Sequence, residues 1–244
     1  MSPAATLGDA ALLLTAWEHA ESVPACAVGA VLLHRVGLVD DLAGALDLPL
    51  STATALLARL YRDTFGATDQ ALARCPDCGL QLEVDLPLDQ LGALPSTPQQ
   101  ASLPGPDGTT MVVRCPTTRD LLEAARSDDP AAAVSARCVQ TQDGGSLDPA
   151  ALDAQQLEAI EATAERLAGA AAAVLSSLCP ECGGQVRADV DIAALLWQRV
   201  RSEVPAVLAE VAELAAAYGW SETDVLAMSA MRRGVYLELA RGGS

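Results

Sequence analysis

Two copies of one cysteine knuckle constrain this chain more than any other feature of it. Cys75-Pro-Asp-Cys78-Gly79 and Cys179-Pro-Glu-Cys182-Gly183 lie 104 residues apart, and the match continues past the glycine. Gln81 aligns with Gln185 and Asp85 with Asp189, while the apolar pairs Leu82/Val186, Leu86/Val190 and Leu88/Ile192 keep one phase. Cys-x-x-Cys puts two sulfurs on one turn, Pro stiffens that turn, and the following Gly reaches the left-handed conformation that aims backbone N–H groups at sulfur. Two such turns supply four thiolates, the number a tetrahedral Zn2+ takes. The pattern therefore predicts one split zinc ribbon with Cys75, Cys78, Cys179 and Cys182 as ligands, each knuckle leading into a strand. Compact ribbons separate their knuckles by about 15–20 residues. Here 100 residues lie between Cys78 and Cys179, so the intervening segment is expected to be an inserted subdomain whose two ends the metal staples. A closed four-thiolate site leaves no open position for water or substrate, which makes the zinc structural. The rival reading of Cys-x-x-Cys is a redox dithiol, but that chemistry needs no second copy, and no βαβ pattern surrounds either knuckle.

Seven cysteines, an odd number in a chain of 244 residues, do not form a secreted disulfide framework. Cys26, Cys115 and Cys138 are expected to be small buried hydrophobes. The net charge of −17, with 15 basic residues that are all arginine, speaks against tracking a nucleic-acid backbone or an anionic membrane surface. The first 34 residues carry no Lys or Arg, so the basic start of a signal peptide is missing. Nor is any uncharged run long enough to span a bilayer. The expected location is cytoplasmic.

Half of the residues are hydrophobic but only 3% are aromatic, and a surplus of Ala and Leu favours helix over sheet. Leu12, Leu13, Ala16 and Trp17 form one helical face. Pro24 opens a helix over 25–35 that Gly37 ends. Ser51 or Thr52 is positioned to cap a helix carrying Ala55, Leu56, Leu60 and Tyr61, with Gly66 as its stop. The Pro- and Gly-rich stretch 92–108 reads as a loop, and Met111–Arg114 as a short strand. Thr117 or Thr118 caps one helix and Asp128/Asp129-Pro130 starts another. The Ala/Glu-rich segment 148–178 is expected to be helical up to the second knuckle. From Ile192 to Tyr218 apolar residues keep helical spacing, though Pro205 should kink or split the helix near Ser202. Gly219 ends it, Ser221-Glu-Thr-Asp224 caps the next helix, and Met231, Val235 and Leu239 form a last amphipathic face.

Catalytic patterns are missing. His19 and His34 adjoin no nucleophile motif, no Gly-rich loop is shaped for phosphate, and acidic pairs such as Asp40-Asp41 sit at helix starts where they favour the macrodipole. No catalytic residue and no small-molecule substrate is assigned. Trp17, Trp197 and Trp220 pack either in a core or at a partner surface.

Leu13-Leu-Thr-Ala-Trp17-Glu18, Arg62-Asp-Thr-Phe65-Gly66 before the first knuckle, Arg114-Cys-Pro-Thr-Thr-Arg-Asp-Leu121, the Ala-Arg-Cys138-Val element, Asp191-Ile-Ala-Ala-Leu-Leu-Trp197 and Tyr218-Gly-Trp-Ser-Glu-Thr-Asp-Val-Leu226 follow one another along the chain. In this arrangement the chain resembles zinc-ribbon proteins encoded with contractile phage tails and extracellular contractile injection systems. More remotely it is similar to the baseplate hub assembly chaperone family of T-even phages. The resemblance covers almost the whole chain and implies a non-enzymatic role in building a baseplate or hub, with protein subunits as partners and zinc on the four knuckle cysteines.

The expected fold is α+β, predominantly helical, with a small split four-cysteine ribbon and a C-terminal helical hairpin. Its expected divisions are an N-terminal helical region (1–70), the ribbon (71–92 with 175–190), an inserted α/β subdomain (93–174) and C-terminal helices (191–244). Within Asp191 to Leu239, the candidate partner-binding residues are Trp197, Tyr218 and Trp220, although much of that apolar face serves equally well as the protein's own core. A zinc-ribbon adaptor in transcription or RNA metabolism is the alternative function. It calls for basic residues beside the knuckles, where only Arg74 and Arg187 stand.

Overall fold

The computed structural model describes residues 6–92, 99–145, 147, 151–169 and 173–242. Helix dominates, as the Ala/Leu surplus requires, and the fold is α+β. Helix α1 (Ala10–Glu21) is capped by Asp9, whose carboxylate accepts from the Leu12 N–H. A 3-10 turn over Ala25–Ala27 leads into α2 (Val28–Arg35), and α3 (Leu42–Leu46) is capped by Asp41. Helix α4 (Leu50–Phe65) ends at Gly66, where φ of 106° excludes most side chains. Its start differs from expectation. Neither Ser51 nor Thr52 caps it; the helix begins at Leu50, whose N–H donates to the Pro116 carbonyl at 2.8 Å. A tertiary backbone contact thus takes the place of a side-chain cap, and Ser51 is buried with its Oγ 3.7 Å from the Cys115 Sγ.

Strands β1 (Thr68–Arg74) and β2 (Gln81–Pro87) form an antiparallel hairpin, followed by α5 (Leu88–Gly92). The segment expected to be a loop contains β3 (Gln100–Pro104), paired with β4 (Thr110–Arg114), while its Pro95 and Pro98 lie outside the described residues. Thr117 caps α6 (Thr118–Ala124) in a capping box with Asp120, and Asp129 caps α7 (Pro130–Cys138). Strand β5 (Val139–Thr141) completes a three-stranded sheet in the order β3-β4-β5.

The expected long helix of 148–178 is two elements. Helix α8 (Ala154–Ala168) is followed by β6 (Ala173–Leu178), which pairs antiparallel with β7 (Gln185–Val190); residues 148–150 and 170–172 lie outside the described set. Pairing with β7 overrides the helical preference of an Ala/Ser-rich stretch.

Helix α9 (Ile192–Tyr218) runs unbroken through Pro205. Pro205 sits on the exposed face, where water can satisfy the carbonyl it leaves unbonded, and Val200 and Val204 before it and Val211 and Leu214 after it are all buried. Packing of both halves outweighs the local penalty. Gly219 closes the helix in the left-handed conformation, a Ser221–Asp224 capping box opens α10 (Glu222–Leu226), and α11 (Ala230–Gly242) folds back on the end of α9. The last apolar face is inverted relative to expectation. Leu237 and Arg233 are buried, while Met231, Val235 and Leu239 face solvent.

The largest core lies between α1, α2, α4 and the first half of α9. It holds Leu32, Leu33, Leu60, Leu196 and Val200, together with Leu86 and Leu88 at the end of β2 and Val190 and Ile192 at the end of β7. Met111, Val113, Ile160 and Leu167 form a second core between the three-stranded sheet and α8. Val211, Leu214, Val225 and Leu237 form a third, where α11 crosses α9.

Candidate metal centre

Each knuckle is the tip of a hairpin, and the two hairpins match turn for turn. The Cys75 N–H donates to the Leu80 carbonyl and the Cys179 N–H to the Gly184 carbonyl, both at 2.8 Å. The Gly79 N–H donates back to the Cys75 carbonyl at 3.0 Å, and the Gly183 N–H to the Cys179 carbonyl at 2.9 Å. Gly79 (φ 77°) and Gly183 (φ 72°) occupy the left-handed region that the turn demands. In each knuckle the first cysteine is buried and the second exposed. Sequence reasoning placed the strands that follow the knuckles but not β1 and β6 before them. Thr68–Arg74 and Ala173–Leu178 show no strong alternation; the available signal was the tight turn, which returns the chain alongside whatever precedes it.

The hairpins meet tip to tip and bring together all four sulfurs assigned from sequence. Cys75 Sγ lies 3.6 Å from Cys182 Sγ, and Cys78 Sγ lies 3.5 Å from Cys179 Sγ. All four fall within 4.8 Å of one another. A tetrahedron with metal–sulfur bonds of about 2.3 Å has edges of about 3.8 Å, so the observed spacing fits a four-thiolate metal ion. The four cysteines could hold such an ion without rearrangement of the backbone.

Electrostatics point the same way. The Cys182 backbone N–H, directed at the Cys179 sulfur, holds that thiol down to about 7. The Leu80 N–H is the strongest single influence on Cys78 and lowers it, but contacts with the Cys179, Cys182 and Cys75 sulfurs, together with burial, outweigh it and push the Cys78 thiol up to about 12. One thiolate forms readily and opposes its neighbours, so four thiolates in this space require a cation.

The repeat departs from symmetry where Leu80 of one knuckle corresponds to Gly184 of the other. At Gly184 a side chain would collide with the Asp77 carboxylate of the opposite knuckle and stand 3.3 Å from the Cys182 sulfur. The glycine thus lets the exposed Asp77 carboxylate approach closely across the site. Around the sulfurs, apolar support is thin: Ala73 and Val186 are buried with Cys75 and Cys179, flanked by partly buried Leu80, Leu82 and Val84.

The other sequence assignments fall elsewhere. Trp197 is partly buried against the main core, with the Arg201 guanidinium over its ring at 5.9 Å. Tyr218 and Trp220 stack at 4.5 Å between ring centroids, and the Tyr236 ring packs edge-on to both. Cys115 and Cys138 are buried as expected, whereas Cys26 is exposed, because its 3-10 turn turns it away from the core that Ala27 and Val28 enter. His19 and His34 hydrogen-bond backbone carbonyls of Thr15 and Val39.

Over residues 4–188 the chain matches the model of the T4 bacteriophage base plate protein family. It belongs to that family. The match takes in both hairpins through residue 188 and leaves α9 to α11 beyond it. Membership carries a baseplate-related structural role and contact with other baseplate subunits. Searches of curated proteins and of solved structures return no match. Among the described residues, no helix is long and apolar enough to cross a membrane.

Proposed function

We propose that this protein is a non-enzymatic assembly chaperone or structural accessory of the baseplate or hub of a contractile phage-tail-like particle, acting in the cytoplasm where such particles are built. The family match is the observation that carries this reading. We further propose that Cys75, Cys78, Cys179 and Cys182 hold one structural Zn2+. The ion would tie the hairpin on the N-terminal side of the inserted unit, residues 93–174, to the hairpin on its C-terminal side. This reading is supported by the closed arrangement of the four sulfurs, which offers no open coordination position for chemistry.

Partners in this reading are protein subunits, met by the C-terminal helices. Tyr218 and Trp220 contribute a half-exposed aromatic stack, and Trp197 contributes its accessible edge. Nucleic acid, membrane and small-molecule substrates have no place in it, since a charge of −17 opposes the first two. A zinc-ribbon adaptor of transcription or RNA metabolism is not favoured. Beside the knuckles, exposed Arg74 and Arg187 are outweighed by Asp77, Glu83, Asp85 and Glu181.

The test is a mild affinity purification of the tagged chain from its host, with partners identified by mass spectrometry and zinc measured per chain. Co-purifying hub, spike or baseplate subunits with about one zinc per chain is the expected result. Recovery of polymerase or ribosomal proteins instead would overturn the assembly reading in favour of the adaptor.

A further inference from the structure

Three of the fifteen arginines converge where the inserted unit meets the helices before it. They line a cavity of about 430 Å3 bounded by Asp47 at the end of α3 and by the Arg114–Asp120 segment and Arg137 of the inserted unit. That volume is within the ~300–1,000 Å3 range of ligand sites. The sequence segment Arg114-Cys-Pro-Thr-Thr-Arg-Asp120 supplies half of its polar wall, and no role assigned above uses it.

The arginines are fixed in place rather than free to sweep. Asp120, only 2% exposed, takes Arg114 in a two-pronged pair at 2.6 and 2.8 Å and the Arg137 Nε at 3.1 Å. Its remaining capacity is filled by the Thr117 N–H and hydroxyl, both at 2.9 Å. Across the cavity, Asp47 takes the Arg119 Nε and, at 3.0 Å, one terminal nitrogen. Each guanidinium is thus held by one edge and keeps another turned outward: the side chains of Arg114, Arg119 and Arg137 remain 36%, 39% and 41% exposed. Among the described residues, neither terminal nitrogen of Arg137 and only one of Arg119 has an acceptor.

Charge selects the ligand. Three guanidiniums against two carboxylates leave the cavity one positive charge in excess, inside a chain of net charge −17. A polyphosphate would bring several uncompensated negative charges into that field, whereas a single carboxylate closes the balance and matches the fork of N–H donors on arginine. We propose that this cavity binds one carboxylate group, through the outward edges of Arg137 and Arg119. The group's source is either the C-terminal carboxylate of a peptide segment or a small free carboxylic acid. The inference stands apart from the assembly reading, which is tested by recovered partners and not by this site.

The test follows the arginine Nε–H signals of the full-length protein by NMR. Three probes are titrated: N-acetyl-Ala-Ala-Ala with a free terminus, the same peptide amidated, and acetate. The free-acid peptide is expected to shift the Arg119 and Arg137 signals saturably, with the amide at least about tenfold weaker. R137Q leaves the Arg114–Asp120 pair in place and is expected to weaken the acid by about tenfold; R119Q does the same from the other wall. A peptide bound far more tightly than acetate identifies a chain terminus as the ligand, and equal binding identifies a small acid. A purely structural ion-pair network would lose stability in these variants yet show no acid-over-amide preference. Equal response to acid and amide, or no saturable shift with any probe, overturns the proposal.

Discussion

The helical core and the cysteine ribbon are held by different physics. Around α1, α2, α4 and α9, twenty-one buried residues form one continuous apolar cluster among the described residues. At roughly 1.5–3 kcal/mol for each fully buried large aliphatic side chain, burial is the main source of cohesion here. Among the described residues, the cluster around the sulfurs buries four, and two of those are cysteines. Two-stranded hairpins with so little apolar support are marginal in water, and Leu72 and Leu178 stand 73% and 71% exposed on them. The contrast teaches what the proposed metal would do at the knuckles: it would supply the cohesion that burial supplies elsewhere. The two regions are nonetheless joined, because Leu86, Leu88, Val190 and Ile192 carry the far ends of both hairpins into the helical core.

Several measurements would break or sharpen that contrast. The largest effect is expected from the double variant Cys75→Ser/Cys179→Ser. It should abolish metal content and cost several kcal/mol, with hydrogen exchange rising across both hairpins while α1 and α4 stay protected. Equal loss of protection in the helical core would show that the metal supports the whole fold. Next, Leu196→Ala removes a fully buried side chain and should cost about 2–5 kcal/mol in denaturant unfolding, with metal content unchanged.

The internal repeat gives a sharper pair. Gly184→Ala makes the exposed Asp77 carboxylate turn aside and brings a methyl group close to the Cys182 sulfur, so it should cost about 1 kcal/mol and weaken metal retention. Leu80→Ala, at the equivalent position, should cost less, because Leu80 is only partly buried. A chelator competition series on the two variants reads the difference.

A pH titration tests the ion-pair network of Arg114, Asp120 and Arg137. Burial alone would raise Asp120, but Arg114 and the Thr117 N–H and hydroxyl outweigh it and hold its carboxyl down to about 2. A carboxylate held below its unfolded value stabilises the fold above that value, and the contribution fades as pH falls through the folded value. About 2 kcal/mol should therefore disappear between roughly pH 4 and pH 2, and Asp120→Asn should flatten that part of the stability curve. The smallest effect is expected on α11. Met231→Ser, Val235→Ser and Leu239→Ser should each change stability by no more than about 0.5 kcal/mol, since all three side chains face solvent.

Much of this was legible in the residues, and the misses share a cause. Helix starts at Asp9, Asp41, Thr117, Asp129, Asp191 and Ser221 are set by side chains hydrogen-bonding a backbone N–H about three residues on, which is local chemistry. The start of α4, the strands β3 and β6, and the continuity of α9 through Pro205 depend on partners far away in the chain. The same holds for α11, where periodicity identified an apolar stripe but the side facing α9 turned out to be that of Arg233 and Leu237. Arg233 is buried there because Glu210 pairs with it at 3.0 Å.

By itself, the sequence determined the four sulfur positions, the helical majority and the repeat that relates the two knuckles. Those follow from spacing, composition and residue type, properties that survive in any conformation. Tertiary structure alone decided that the Pro116 carbonyl receives the first N–H of α4, that the Asp77 carboxylate stands against Gly184 across the site, and that three arginines share one cavity. The physical reason is the same in each case. A contact between distant segments exists only after their separate cores have packed, and no local pattern encodes which surfaces that packing will bring together.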